Sequence, residues 1–295
     1  MRALVIAAVM ATALPAGATP AKKKAPVVVA PVPRWQTLPL PPPMPKATAT
    51  GTLAHDDAKI YWATYGNEKG KAVVMLHGGL GNSDHWAFQL PALVEKYRVI
   101  VVDSRGQGRS TLGTAKLTYH LMGGDVLAVL DSLKVTKASL VGWSDGGAIA
   151  LDLAVNQPDR VDHMFVIGTN YDSAGSKPRR AQKPSKTFNG YAAKCKTDHL
   201  KFGNSLQSWT DLIAALLPVW RNPNGFTKDQ IKSIKAKSLV TDGDHDEILE
   251  RAQIEEMGKI IPNGASKIFD DTSHFAIWQD PETVTKTIVE FLGTD

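Results

Sequence analysis

The sequence predicts one α/β domain built on a mostly parallel sheet with helices on both faces. Apolar runs typical of buried strands alternate with helical stretches, which is the pattern of βαβ units. The strand-like runs are Lys59 to Tyr65, Ala72 to Leu76, Val99 to Val102, Ala138 to Val141, Val161 to Ile167, Ser238 to Val240 and Ser266 to Phe269. The helical stretches are Ala87 to Glu95, Tyr119 to Leu133, Gly146 to Asn156, Glu247 to Lys259 and Pro281 to Leu292. Active residues of such a sheet belong at the carboxyl ends of its strands.

The first residues are typical of a secretory signal peptide. Met1 and Arg2 precede an apolar run from Ala3 to Leu14, and small residues follow at 16–18. We therefore expect residues 1–18 to be removed and the protein to be periplasmic or secreted. The apolar run is shorter than the roughly 20 residues of a membrane helix, and an uncleaved signal segment is the alternative.

Residues 19–50 are rich in proline, alanine and lysine, including Pro41-Pro42-Pro43. This composition predicts an extended linker ahead of a domain that spans residues 51–295.

Charge and cysteine content set few limits on function. The net charge is +5, and no pattern of basic and aromatic residues suggests nucleic-acid binding. One stretch is basic and is interpreted as a solvated face, with binding of anionic substrates or of an anionic envelope surface as the alternatives. Its residues are Lys177, Arg179, Arg180, Lys183, Lys186, Lys194 and Lys196. The lone Cys195 allows no internal disulfide, and the sequence does not set the oligomeric state.

A glycine-flanked serine follows the strand Ala138 to Val141. In Gly142-Trp143-Ser144-Asp145-Gly146 the serine sits at a turn from strand to helix. This is the pattern of a nucleophile elbow, which exposes a serine hydroxyl beside a backbone N–H. Ser144 is therefore the candidate nucleophile.

A second glycine-rich loop follows the strand Ala72 to Leu76. In His77-Gly78-Gly79-Leu80-Gly81 the backbone N–H groups are unshielded. We expect the N–H groups of Gly79 and Asp145 to receive an oxyanion, with Leu80 as the alternative to Gly79. His77 is interpreted as a residue that fixes the loop by hydrogen bonding.

An acid and a histidine complete the constellation. Asp246 is the preferred acid in the turn after Ser238 to Val240, with Asp242 and Asp244 as rivals. These carboxylates with His245 form at best a weak metal site, since a catalytic zinc needs about three protein ligands. We therefore expect no metal and no cofactor.

His274 follows the last strand-like run and is the candidate base. It would take the proton of Ser144 while Asp246 holds the imidazole in place. The chain order Ser, Asp, His is the order found in α/β-hydrolases.

From about Gly51 to Leu292 the chain resembles the α/β-hydrolase family. A further match is Asp103 to Ser110, which resembles the family segment Asp-x-Arg-Gly-x-Gly-x-Ser and is interpreted as structural. The resemblance implies an α/β-hydrolase fold with a helical cap inserted after the sixth strand.

Within the family, residues 142–147 and 166–170 look most like the biphenyl-hydrolase-like, valacyclovir-hydrolase-type branch. That branch cleaves amino-acid esters and uses the acid after the nucleophile to receive an ammonium group. Carried over, this position is Asp145. The alternative is that Asp145 only stabilises the N-terminus of its helix.

The regular alternation stops between residues 171 and 236, which we predict to form the cap. Trp209, Leu212, Ile213, Leu216, Leu217 and Trp220 make one apolar helix face, which either covers the substrate or packs in the core. The predicted substrate-binding residues are Asp145, Gly78, Leu80, Trp143, Trp209 and Trp220.

These features predict a serine hydrolase that cleaves a small-molecule ester through an acyl-enzyme on Ser144. The same residues serve carbon–carbon bond, lactone, amide or iminopeptidase hydrolysis and perhydrolysis in this family, so these reactions stay open. An alternative of another class is a catalytically silent binding protein tethered to the cell envelope.

Overall fold

The sheet of this protein has eight strands, seen in a computed structural model that describes residues 31–178, 185–221 and 225–293. The strands are β1 (Ala49–His55), β2 (Ala58–Gly66), β3 (Ala72–Leu76), β4 (Arg98–Val102), β5 (Ala138–Trp143), β6 (Val161–Ile167), β7 (Lys237–Gly243) and β8 (Gly264–Phe269). Their order is β1-β2-β4-β3-β5-β6-β7-β8. β2 pairs antiparallel with β1 and β4, and all other pairs are parallel. The mostly parallel sheet predicted from the sequence is thus confirmed.

Nine helices accompany the sheet in the described ranges. They are α1 (Leu90–Leu93), α2 (Tyr119–Ser132), α3 (Asp145–Asn156), α4 (Lys186–Lys201), α5 (Leu206–Arg221), α6 (Lys228–Lys232), α7 (Arg251–Ile260), α8 (Ala276–Gln279) and α9 (Pro281–Leu292). Every residue of β5 is buried. Because successive side chains of a strand point to opposite faces, both faces of the sheet centre are covered. None of the helices in this part of the chain is long and apolar enough to cross a membrane.

The cap follows the sixth strand, as predicted. Helices α4, α5 and α6 are inserted between β6, the sixth strand, and β7. The side chains of Trp209, Leu212, Leu216 and Val219 form the buried face of α5. Arg179, Arg180 and Lys183 of the basic stretch lie outside the described residues.

Two helices differ from the sequence-based prediction by more than one residue at a boundary. The helix expected over 87–95 is only Leu90–Leu93, preceded by a 3₁₀ turn at Ser83–Trp86. The helix expected from Glu247 begins at Arg251. The reason is that Asp246 Oδ1 accepts the backbone N–H groups of Ile248 and Leu249, which fixes a turn before the helix.

The linker prediction for residues 19–50 is wrong over its second half. Residues from Val32 onward belong to the same compact unit as the sheet, and the domain does not begin at Gly51, since β1 starts at Ala49. Leu38, Met44 and Ala47 pack against the core. The proline content favoured a linker because proline cannot join a sheet ladder, but it does not prevent packing on a surface. The predicted signal peptide, residues 1–18, lies outside the described residues.

The segment after β4 is a structural turn, as interpreted. The buried Asp103 carboxylate accepts the backbone N–H groups of Ser83 at 2.7 Å and Arg109 at 2.8 Å. The guanidinium of Arg105, fully buried, pairs with Asp125 at 2.6 Å and also bonds to Asp57. These ion pairs hold the loops at the carboxyl ends of the strands.

Candidate active site

Ser144 lies between β5 and α3 in a strained backbone conformation. Its φ is 54° and its ψ is −118°, a region that a residue with a side chain rarely adopts. The two flanking glycines make the turn possible. A Cβ at Gly146 would overlap the carbonyl oxygen of Leu76, and a Cβ at Gly142 would overlap the carbonyl oxygen of Gly146. The elbow is therefore pressed against the end of β3.

Three side chains form a continuous hydrogen-bond chain at this turn. The Nε2 atom of His274 lies 2.9 Å from Ser144 Oγ, and its Nδ1 atom lies 2.6 Å from Asp246 Oδ2. His274 and Asp246 are both buried. With Nδ1–H donating to Asp246, Nε2 is free to accept the serine proton, so the geometry can activate the hydroxyl as a nucleophile.

The charges of the pair reinforce this arrangement. Burial works to raise the pKa of Asp246, but the bonds from His274 and from Ile248 N–H outweigh it and hold this pKa at about 2. Burial works to lower the pKa of His274, but the Asp246 carboxylate outweighs it and raises this pKa above its ordinary value. Asp246 is thus the anion that stabilises a developing imidazolium.

The rival acids occupy different positions. Asp244 Oδ1 accepts the backbone N–H of Thr272 at 3.0 Å and so ties two loops together. Asp242, at the end of β7, is fully buried, and its Oδ1 accepts the N–H of Gly243. Burial raises the pKa of Asp242 well above its usual range, and the nearby charge of Asp246 raises it further. Asp242 therefore holds a proton more readily than Asp246 does.

Ligand atoms of Asp242, Asp246 and His274 lie within 4.8 Å of one another. This is a separation that a metal ion could bridge. In the structure His274 Nδ1 instead meets Asp246 in a hydrogen bond, so a metal would have to displace the proton that joins them.

The loop after β3 passes directly over the nucleophile. A Cβ at Gly78 would lie 3.3 Å from Ser144 Cβ. The Gly78 carbonyl accepts the N–H of Gly81 at 3.0 Å and bonds to His77 Nδ1 at 2.8 Å. Because C=O and N–H point in opposite directions across a trans peptide, this fixes the direction of the Gly79 N–H.

His77 orients this loop. Its Nε2 accepts the backbone N–H of Ser104 at 3.0 Å, so the proton is on Nδ1 and is donated to the Gly78 carbonyl. Burial lowers the pKa of His77 and keeps it neutral. The second predicted donor, Asp145, is the first residue of α3 and has no intrahelical acceptor for its N–H.

The carboxylate of Asp145 is bonded to two neutral donors. Tyr119 donates its hydroxyl to Oδ1 at 2.8 Å, and the indole N–H of Trp220 lies 2.9 Å from Oδ2. Burial raises the pKa of Asp145. The acid next to the nucleophile therefore joins α2 and the cap helix α5, which neither sequence-based interpretation of this residue included.

The other predicted substrate-binding residues divide into two groups. Gly78, Leu80 and Trp220 lie at or beside the loop over Ser144, with Leu80 buried and at a φ of 65°. For Trp143 and Trp209, whose side chains are buried, a role in substrate binding stays a prediction. Trp143 donates its indole N–H to the His274 carbonyl at 2.9 Å. Trp209 packs inside the cap against the ring of His199.

Two groups of contacts at the site were not predicted. Tyr191 of α4 donates its hydroxyl to the Gly79 carbonyl at 2.8 Å. Glu247 accepts the backbone N–H of His274 at 3.3 Å and the hydroxyl of Ser185, which caps α4, at 2.7 Å. Local sequence patterns carry no signal for these contacts, because the partners are far apart in the chain. Cys195, also on α4, is buried, and burial raises its thiol pKa, so it is not an activated thiolate.

Comparison with known proteins finds similar hydrolases. A family model described as alpha/beta hydrolase fold matches residues 71–208. RutD of Caulobacter segnis, whose name refers to carbamate hydrolysis, is 42% identical over 101 residues, 33% of this chain and 38% of that protein. The chain thus aligns with less than two thirds of the length of that relative. A 2-hydroxy-6-oxononadienedioate/2-hydroxy-6-oxononatrienedioate hydrolase of Cupriavidus pinatubonensis is 28% identical over 254 residues, 76% of this chain and 87% of the relative.

Solved structures give the same result for the fold. Est816, an N-acyl homoserine lactone degrading enzyme, matches with a TM-score of 0.67 and 26% identity, over 82% of this chain and 100% of its own. Carboxylesterase CesB of Bacillus subtilis matches with a TM-score of 0.69 and 20% identity, over 84% of this chain and 93% of its own. None of these names refers to the valacyclovir-hydrolase branch, so that resemblance stays a prediction.

The close approach at the elbow predicts a large difference between two glycine-to-alanine changes. Gly146→Ala should lower the free energy of unfolding by about 2 to 3 kcal/mol, because the new methyl group meets backbone that cannot move aside. Gly124→Ala is the matched control, since Gly124 lies in α2 and a Cβ there would make only an ordinary contact with His55 Cε1 at 3.9 Å. Its alanine should raise the stability by up to about 1 kcal/mol. Urea unfolding measures both, and equal effects would contradict the packing described for the elbow.

Proposed function

Because the chain belongs to the α/β-hydrolase fold family, we propose that it is a serine hydrolase that cleaves small carboxylic esters through an acyl-enzyme on Ser144. The observation that carries this proposal is the hydrogen-bond chain at Ser144, with distances of 2.9 Å and 2.6 Å on the two sides of the His274 ring. A protein that only binds a ligand has no need of this alignment.

In the first step His274 Nε2 takes the proton of Ser144 Oγ while the oxygen attacks the ester carbonyl carbon. The negative charge moves to the carbonyl oxygen, which accepts the N–H groups of Gly79 and Asp145. Each such donor is worth about 3 kcal/mol in the transition state. The imidazolium of His274 then gives its proton to the leaving alcohol.

In the second step water replaces the alcohol. His274 takes a proton from the water, and the hydroxide attacks the acyl carbon through the same oxyanion contacts. Release of the acid returns the proton to Ser144 Oγ. Throughout the cycle Asp246 stays ionised and keeps His274 in the tautomer with hydrogen on Nδ1.

The choice of an ester rests on the relatives and on the charge of the site. The names of similar proteins include a carboxylesterase and an enol-lactonase. The Asp145 carboxylate, the nearest negative charge to the nucleophile on α3, already accepts two hydrogen bonds. We therefore propose a neutral acyl group as the preferred substrate part, and a periplasmic or secreted location on the sequence of residues 1–18 alone.

The first test is covalent labelling of the serine. A fluorophosphonate should label the full-length protein, and Ser144→Ala should abolish both labelling and hydrolysis of p-nitrophenyl acetate. Ser139→Ala, a buried serine of the same strand β5, is the matched control and should label like the wild type. A folded wild-type protein that neither labels nor hydrolyses esters would instead support the binding-protein alternative.

The second test distinguishes the roles of the two buried acids Asp242, near the end of β7, and Asp246, in the turn after β7. Asp246→Asn should lower kcat about 10⁴-fold, because an amide favours the wrong tautomer of His274. Asp242→Asn should change kcat less than about tenfold, because a neutral amide replaces the acid whose pKa is raised and not the one that pairs with His274. Steady-state kinetics of both variants decides the assignment. The opposite order of losses would identify Asp242 as the acid that serves His274.

The third test addresses the acyl group. Phenyl propionate and the phenyl ester of alanine differ only by one ammonium group, and we expect kcat/KM for the propionate to be at least as high. An ammonium group would have to displace the indole N–H of Trp220 from Asp145. Trp220→Phe removes that donor and should shift the ratio towards the alanine ester. A wild-type preference for the alanine ester would restore the cation-binding role predicted for Asp145.

A further inference from the structure

A short segment ahead of β1, residues 34–38, packs against the two loops that carry His274 and Asp246. We call this segment the strap. Its first three residues, Arg34–Gln36, form a 3₁₀ turn. It lies within the stretch that composition predicted to be linker, and the mechanism above gives it no role.

The strap binds the turn that precedes His274. The Arg34 backbone N–H donates to Asp271 Oδ2 at 3.1 Å, and its guanidinium donates to the carbonyls of Asp270 at 2.9 Å and Asp271 at 3.4 Å. The same guanidinium pairs with Asp280, the N-cap of α9, at 2.9 Å. Asp271 has a φ of 52°, which is unfavourable for a residue other than glycine. The strap thus holds a strained turn three residues before the base.

Gln279 connects the strap to the residue next to His274. Its Nε2 donates to the carbonyls of Trp35 at 3.0 Å and Thr37 at 2.8 Å. Its Oε1 accepts the backbone N–H of Ser273 at 2.6 Å, and Nε2 also lies 3.0 Å from Ser273 Oγ. Because Gln279 is buried, a loss of the strap carbonyls would leave its amide without these acceptors.

The strap also covers the loop of the acid. The ring of Trp35 lies 4.7 Å from the ring of His245, the residue before Asp246. His245 in turn donates its backbone N–H to the Thr272 carbonyl at 2.9 Å. The strap therefore contacts both sides of the junction at which the two loops meet.

This position matters because catalysis needs a closely fixed geometry. Both loops are connecting segments, which are the mobile parts of a fold unless tied down. A displacement of about 1 Å at a reacting group can cost about 100-fold in rate. The hydrogen bond between His274 and Asp246 joins side chains of these two loops.

We propose that the strap is a positioning element, with Arg34 and Trp35 as positioning residues that keep His274 and Asp246 aligned with Ser144. This inference rests on the proposed function, because it assumes that the aligned side chains carry out catalysis. It assigns to the segment ahead of the sheet a direct effect on turnover.

The test compares point variants of the full-length protein. Arg34→Ala, Trp35→Ala and Gln279→Glu should each lower kcat for phenyl propionate about 10- to 100-fold with KM nearly unchanged. Gln279→Glu keeps the shape of the side chain but turns an oxygen towards two carbonyls. Arg34→Lys should recover part of the loss, since an ammonium group still reaches Asp280 or one carbonyl. Gln36→Ala is the matched control, because Gln36 is exposed in the same turn.

Backbone amide exchange provides a measurement that does not depend on activity. In the three variants, exchange should rise in residues 270–275 and 244–247 and stay unchanged in β5 and α3. Unchanged exchange in residues 270–275 and 244–247, or unchanged kcat in an active protein, would overturn the role of the strap. A wild-type protein that never labels at Ser144 would refute the proposed function instead, while exchange still decides whether the strap holds the loops.

Discussion

The approach of the elbow to the end of β3 is the constraint on which the rest of the site depends. Gly146 lies so close to the Leu76 carbonyl that no side chain fits, and Ser144 takes a left-handed φ of 54° as a result. The strain of that residue costs free energy of about 1 to 3 kcal/mol. The buried centre of the sheet, formed by β3 and β5, stabilises it. This arrangement brings the side chain of Ser144 close to the loop after β3.

The surroundings of the two buried carboxyl groups near His274 shift their pKa values in opposite directions. Asp246 accepts bonds from His274 and two backbone N–H groups and stays ionised. Asp242 Oδ1 accepts the N–H of Gly243, and burial together with the nearby charge of Asp246 raises the pKa of Asp242. Two adjacent ionised carboxylates would repel each other in a medium of low dielectric constant. The number and direction of hydrogen-bond donors therefore decide which acid serves the histidine.

The sequence predicted those parts of the site that local patterns encode. Ser144, the loop at Gly79 and His274 each follow a strand within a few residues, so strand signals and glycines located them. The choice among Asp242, Asp244 and Asp246 depends on where β7 ends, and propensity fixes a boundary only within a few residues. β1 was missed because its run contains few large apolar residues. Residues 32–48 were interpreted as linker because amino-acid composition does not show whether a segment packs on the surface of the domain. Tyr191, Tyr119 and Glu247 meet the site across long sequence separations that no local window contains.

The contacts from outside the sheet reach three residues of the site, namely Gly79, Asp145 and His274. Tyr191 of α4 bonds to the carbonyl of Gly79, Trp220 of α5 bonds to the side chain of Asp145, and Glu247 links the N-terminus of α4 to the backbone of His274. Gly79 and Asp145 are also the two residues whose N–H groups face the oxyanion in the proposed mechanism. A cap that only covered the substrate would need apolar contacts alone. Because α4 and α5 are bonded to these residues, a shift of either helix would also change the electrostatics at the reacting carbonyl. The cap helices therefore also help to set the catalytic geometry.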